Sequence, residues 1–205
     1  MKRAALTIFL LSAFAVGACA QEDVGDDVKR FRETREKSFR SASETPLKAE
    51  DFARFKGLEY FGWDAGFAVK ARLEKTSDEQ IFMMPTSIGT TRKYFKYGVL
   101  SFELGGQKLS LTVFRSESSA KKNGLLFVPF RDRTNGTQTY GAGRYLDIKA
   151  PVGDEAVELD FNFAYNPACA YGRDDFSCAI PPKENFLQIE IKAGEKIFPY
   201  TAKKQ

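Results

Sequence analysis

Leu100-Ser101-Phe102-Glu103-Leu104-Gly105-Gly106-Gln107-Lys108-Leu109-Ser110-Leu111 is the stretch on which the fold turns. Gly105-Gly106 suits a two-residue primed turn, which needs positive φ at both central positions. Folding the chain there sets Phe102 opposite Leu109 and Leu100 opposite Leu111 on one face. On the other face Glu103 meets Lys108 and Ser101 meets Ser110. Turn chemistry, an apolar face and a charge pair all select one register, that of an antiparallel hairpin with one buried side.

Outward from the hairpin, period-two patterns recur. Phe67, Val69, Ala71 and Leu73 alternate with Ala68, Lys70, Arg72 and Glu74, as in a half-buried strand. Leu125–Phe130 is a continuous apolar run, expected of a strand buried on both faces, with Pro129 limiting its pairing. Further strands are expected at Gly143–Lys149, Ala156–Phe163 and Phe186–Lys192, with shorter ones at Ile81–Met84 and Arg92–Lys96. Upstream the period is helical. Val28, Phe31 and Phe39 share one face of a helix over Val24–Ala42, and Arg35 and Arg40 interrupt or flank that stripe, predicting light packing. A second short helix over Ala49–Phe55 closes at Gly57. The sum is a mainly β fold, α+β at the margin: an antiparallel sandwich or barrel with an N-terminal helical cover.

The chain opens with Met1-Lys2-Arg3 and an uninterrupted apolar run from Ala4 to Val16. That run is shorter than the roughly 18–20 residues of a permanent membrane span and reads as an export leader over residues 1–20. Val16-Gly17-Ala18-Cys19 resembles a bacterial lipobox, which would leave Cys19 lipidated. Ala18-Cys19-Ala20 alternatively fits small-x-small cleavage before Gln21. Either way the expected location is the bacterial periplasm or outer surface, with a membrane anchor if Cys19 is kept. A single globular domain over 21–205 is expected to follow, helical over 24–57 and β-rich over 58–200. With 43% hydrophobic residues and 19 Phe it can build a real core.

Thirty-one basic residues stand against 27 acidic ones, and loss of Lys2 and Arg3 lowers the net charge from +4 to +2. Basic and acidic residues interleave, so no basic stripe for nucleic acid is present. The chain contains no histidine. That excludes Ser-His-Asp triads, Cys-His dyads and HExxH zinc sites, leaving carboxylates, Tyr, Lys, Arg and Cys for any chemistry. Cys169 and Cys178 read first as a disulfide in an oxidising compartment. A metal site would need two more ligands from carboxylates such as Asp174 and Asp175, and a reactive thiol would need an arginine beside it. No metal and no cofactor are expected.

Two stretches concentrate polar groups. One runs from Phe127-Val128-Pro129-Phe130-Arg131-Asp132-Arg133-Thr134-Asn135-Gly136 to Tyr140-Gly141-Ala142-Gly143-Arg144-Tyr145-Leu146. The other runs from Asp160-Phe161-Asn162-Phe163-Ala164-Tyr165-Asn166-Pro167 through Cys169-Ala170-Tyr171 and Cys178. It continues to Pro181-Pro182, Glu184-Asn185 and Ala193-Gly194-Glu195-Lys196. These resemble, in order, the motifs FRDxTxGxxTYGAGRYLD, DFNxAYNPxCAY, PPxEN and AGEK of a family catalogued as domain of unknown function 1684. The sequence departs from that pattern at Gln138, where Glu is expected, and at Ala179, where Pro is expected. The resemblance implies one domain and a shared site, and supplies no activity.

Arg131 or Arg144 can take a carboxylate or phosphate through its planar fork; the plainer alternative has Asp132 pairing with an arginine to pin the loop. If a strand continues to Phe163, Asp160 and Asn162 share its polar face and can hold a hydroxyl, a water or a cation. Tyr60, Phe61 and Trp63 read as a sugar-stacking platform if exposed, and otherwise as packing against the N-terminal helix. The first functional expectation is a small-molecule or glycan binding module using Arg131, Asp132, Tyr140, Arg144, Asp160 and Asn162. The second is a carboxylate-dependent hydrolase or lyase on a carbohydrate-like substrate, with Asp160 and Glu195 as acid and base and Arg144 stabilising negative charge. The third is an envelope scaffold lipoprotein.

Overall fold

A computed structural model describes residues 18–116, 124–153, 156–173 and 175–199, with only the backbone for 18–24 and for Glu79. Residues 1–17 of the leader expected over 1–20, the side chain of Cys19 and Asp174 lie outside the described residues.

The primed turn and register expected at Gly105-Gly106 are present. Gly105 and Gly106 have φ of 57° and 73°, and Phe102 pairs with Leu109, Glu103 with Lys108 and Leu100 with Leu111. This hairpin joins β2 (Thr91–Leu104) to β3 (Gln107–Ser116). Around it are β1 (Ala68–Pro85), β4 (Leu125–Phe130), β5 (Arg144–Lys149) and β6 (Val157–Asp160), with spatial order β5-β4-β3-β2-β1-β6. Neighbouring strands of this sheet all pair antiparallel. The two strands expected around Phe67–Glu74 and Ile81–Met84 are one long strand whose register shifts between Lys75 and Gln80. Opposite that shift β2 bulges between Lys96 and Gly98. A Cβ at Gly98 would stand 2.4 Å from the Glu74 carbonyl oxygen, so only glycine lets the two strands bend together there.

That bend curls the sheet into a nearly closed barrel. Tyr145, in β5, bridges Tyr165, a few residues past β6, and a slit remains between the two end strands. The interior is apolar, with Leu100, Leu111, Val128, Leu146, Leu159 and Phe161 all buried. β4 is buried on both sides, as its unbroken apolar run requires. Leu126, Val128 and Phe130 face the barrel core. Phe127 packs outside with Tyr94, Phe114 and Tyr145. Cys169 and Cys178 are disulfide-bonded, closing a short loop that lies against this outer cluster. The closure contributes about 2–3 kcal/mol in the chain-entropy account.

Pro129 has the limiting effect its missing N–H predicts. β3 and β4 pair only at Phe114–Phe127, and two residues further Thr112 would face Pro129. The Asn185 amide fills that gap. Its Nδ2 donates to the Thr112 carbonyl at 2.8 Å and to the Pro129 carbonyl at 2.7 Å, while its Oδ1 accepts from Thr112 N–H at 2.8 Å. A side chain thus replaces the ladder bonds that proline cannot make.

Two expected strands differ from the structure. β6 stops at Asp160 because that carboxylate accepts from Asn162 N–H and starts a 3-10 turn over Phe161–Phe163. The run Phe186–Lys192 alternates as expected, with Leu187 and Ile191 buried. It forms no ladder because its neighbour is the loop after β4, which it touches through Leu187 N–H to Arg131 O and Arg133 N–H to Ile189 O. Helix α1 (Ala18–Phe39) lies over the end of the barrel, and α2 (Ala49–Phe52) follows it. Phe31 meets Phe163 edge-on at 5.3 Å and Phe39 meets Tyr171 at 4.6 Å. Among the described residues no helix is long and apolar enough to cross a membrane.

Candidate functional site

Arg144 and Asp132 form a sealed pair, the plainer of the two roles open to them. Their side chains are both 0% exposed and meet at 2.9 Å. Arg144 also donates to the carbonyls of Ala193 and Ile191. Asp132 Oδ1 accepts from the backbone N–H and hydroxyl of Thr134 and from Ile191 N–H. Burial alone lowers the affinity of the Arg144 guanidinium for its proton, and Asp132 opposes that. The expected role of Arg144 and Asp132 as ligand contacts is therefore corrected: a guanidinium with no exposed surface meets no ligand in this state. Gly143 permits the arrangement, because a Cβ there would lie 2.6 Å from the Phe130 carbonyl oxygen. Gln138 contributes through its backbone, its carbonyl accepting from Ile197 N–H, so this loop needs no carboxylate at that position.

Arg131 is exposed, with its guanidinium 5.8 Å from the Phe186 ring centre. Tyr140 is half-buried against the cluster of Phe39, Tyr171 and Phe198, and burial pushes its hydroxyl pKa up. Neither approaches a shared site. Asn162 is fully buried and holds both backbone groups of Asp64. Tyr60, Phe61 and Trp63 do not form a common platform. Tyr60 lies under the Arg32 guanidinium at 4.6 Å, Phe61 under Lys196, and Trp63 packs beside Gly25 of α1.

A second polar network lies beneath α1, and the expectation of light packing there is overturned. Val28, Phe31, Arg32, Arg35 and Phe39 follow helical spacing, so the two arginines belong to the inward face. Arg35 Nη2 meets Glu195 at 2.9 Å, with Glu195 only 1% exposed and Arg35 19%. Glu195 also accepts from the Tyr171 hydroxyl and from the Asn166 backbone and side-chain N–H groups. Burial alone would weaken the proton affinity of Arg35, but Glu195 and then Tyr171 more than reverse it and raise its pKa. Gly194, at φ 76°, allows this turn, since a Cβ there would lie 2.5 Å from the Ala164 carbonyl oxygen. Tyr60 stands in the same network, its hydroxyl pushed up to about 12 by burial and then by Glu195. It lies near Arg35 without completing a hydrogen bond.

Asp160 borders open space. It lines a cavity of about 440 Å³ in the slit between β5 and β6, roofed at one end by Asp27 of α1. Asp160 is 6% exposed, and its Oδ1 accepts from Asn162 N–H and Nδ2 while its Oδ2 has no partner. Burial raises its pKa, opposed by those hydrogen bonds. A folded-state pKa above the unfolded one means the folded chain binds the proton more tightly. Stability is then lost as pH rises from the ordinary carboxylate value through the raised one. Asp160→Asn keeps the turn's acceptor and is expected to gain stability over the wild type across that window. Urea titrations at stepped pH check this, and a pH-independent difference between the two proteins would refute it.

A larger cavity of about 570 Å³ is floored by Tyr94, Phe127 and Tyr145. Its polar groups are committed: Arg92 donates to Ser177 O, Tyr145 to Ala179 O and Tyr165 to Asp147. The slit, with its unpaired buried carboxylate oxygen, is the better candidate. Among the described residues no cluster of three or more Cys, Asp or Glu could hold a metal ion.

The solution NMR structure of an uncharacterized protein of Haloarcula marismortui has the same fold, with a TM-score of 0.70 and 33% identity over 86% of this chain and 96% of that one. Among curated proteins none is significantly similar to the chain. Residues 53–196 match the profile of a family described as a protein of unknown function, DUF1684. That span holds the Asp132–Arg144 pair, Asp160 and Glu195, while Arg32 and Arg35 lie upstream of it. The chain belongs to the DUF1684 family.

Proposed function

We propose that this protein is an exported, envelope-associated binding module that takes a small polar ligand in the slit between β5 and β6. The reading rests on Asp160, which lines that cavity and whose buried Oδ2 has no partner. An orphaned acceptor of this kind costs stability unless a ligand or water meets it. Binding is favoured over two-carboxylate hydrolysis because the Glu195 oxygens are already occupied by Arg35, Tyr171 and Asn166. Export and anchoring at Cys19 are supported by the cationic start, the short apolar run and the lipobox.

The test is a native mass spectrum of the protein isolated from its host, beside that of Asp160→Asn. The wild type is expected to carry a mass that disappears on denaturation and that the variant lacks, and its denatured mass is expected to include acyl chains on Cys19. Identical, empty native spectra after incubation of both proteins with a host metabolite extract would overturn the binding reading.

A further inference from the structure

The slit between β5 and β6 is apolar within and charged along both edges, and strand alternation makes it so. Leu146 and Ile148 of β5 and Val157 of β6 belong to the barrel core. Asp147, Lys149, Glu158 and Asp160 therefore take the opposite face of the same strands, and all four line the slit. Asp27 of α1 lines it too and is paired with Arg30. Among the described residues, four carboxylates thus meet a single ammonium, that of Lys149. Among those residues Asp147, Glu158 and Asp160 have no ion pair. Asp147 accepts from the Tyr165 hydroxyl at 2.7 Å, and Asp160, 6% exposed, is bonded only to Asn162 through its Oδ1. Burial raises the pKa of both aspartates. Those hydrogen bonds oppose the rise, as do Arg35 for Asp147 and Arg32 for Asp160, though neither arginine lines the slit.

We infer that the slit takes a primary amine in its ammonium form, the charge held among the carboxylates of its two edges and an apolar body laid on Leu146, Ile148 and Val157. The inference rests on the binding reading above and names its ligand class. An anion would enter against three carboxylates without a counter-ion, with only Lys149 to meet it. A neutral ligand fills the apolar interior and leaves those charges uncompensated. A metal ion needs several ligand groups converging on one point, and among the described residues no three do so. A quaternary ammonium is recognised by a cage of aromatic faces, and Phe163 is the one ring in the described lining. A primary ammonium instead donates N–H groups to carboxylates, the charge-assisted bonds that this lining offers. Asp160 is the buried member of that set, and Asn162 leaves one of its oxygens without a donor.

The dialysed full chain is titrated by calorimetry with hexylamine, trimethylhexylammonium, hexan-1-ol and hexanoate, which share one hydrocarbon body. Hexylamine is expected to bind best, with the trimethylated cation and the alcohol each weaker by roughly tenfold and hexanoate by roughly 100-fold. Asp160→Asn is expected to weaken hexylamine by about tenfold, and Glu158→Gln, at an exposed position, by about threefold. Lys149→Gln, which removes the opposing charge, is expected to strengthen it. Hexan-1-ol should bind the wild type and all three variants alike, a pattern that mere damage to the fold would not produce. An alcohol that binds as well as the amine, or hexanoate binding best, would overturn this inference and leave the binding reading standing. Silence from all the probes, with a retained molecule in the native mass spectrum that has no amino group, would do likewise. A retained amine that Asp160→Asn lacks would uphold both. No response and no retained molecule would overturn both.

Discussion

Arg144→Met is expected to destabilise the domain by about 3–5 kcal/mol, a large share of the 5–15 kcal/mol that holds a typical domain folded. Both partners of the Arg144–Asp132 pair are 0% exposed, so the remaining carboxylate cannot turn to water. Its Oδ1 would keep three donors, from Thr134 and Ile191. Its Oδ2 would keep only its charge. The same substitution frees the carbonyls of Ile191 and Ala193, so the loop before Glu195 should loosen too. Asp132→Asn should cost less, because it removes the charge along with the attraction. The double variant Arg144→Met/Asp132→Leu should recover much of the loss, since it buries no unpaired charge. Urea unfolding of the wild type and the three variants checks this order. A loss below about 1 kcal/mol in the first variant would mean that the pair is solvated, contrary to its geometry.

Arg35→Ala is expected to release helix α1 from a barrel that stays folded. Glu195 is 1% exposed and is ion-paired with Arg35, with Tyr171 and Asn166 as neutral donors. The cost is about 2–4 kcal/mol, at the low end for a buried pair because Arg35 is itself partly solvated. Its distribution is the diagnostic readout. Amide exchange should quicken along α1 while the β2–β3 hairpin keeps its protection, since among the described residues the helix docks through Val28, Phe31 and Phe39 together with Arg35 itself. Equal loss of protection in helix and hairpin would show that α1 is part of one cooperative unit.

The parts of this fold that were legible in sequence are local ones. The Gly105-Gly106 hairpin carries its own turn, faces and charge pair within twelve residues, so nothing distant can contradict it. The apolar run of β4 was equally plain, because only burial on both faces explains it. What escaped reading depends on residues far apart. Arg35 looked like an interruption of the apolar stripe on α1 because its partner, Glu195, comes 160 residues later. Its helical spacing with Phe31 and Phe39 was the available signal. Arg144 looked like a ligand contact because an arginine after a glycine-rich loop reads alike whether its partners are solutes or the carbonyls of Ile191 and Ala193. Alternation through Phe163 suggested a longer β6, and the Asp160 side chain ended the strand by capping the turn.

The Asn185 amide between β3 and β4 has a consequence for the order in which the chain can fold. Strands joined by backbone bonds can zip as soon as both exist, but this seam waits for a side chain 56 residues beyond Pro129. A nascent chain that ends anywhere before Asn185 therefore holds β3 and β4 together at little more than Phe114–Phe127. The Thr112 N–H and carbonyl then remain open to other strands, including those of neighbouring chains. Closure is non-local and comes late, which favours slow folding and leaves this seam open in the newly made chain until its last tenth arrives.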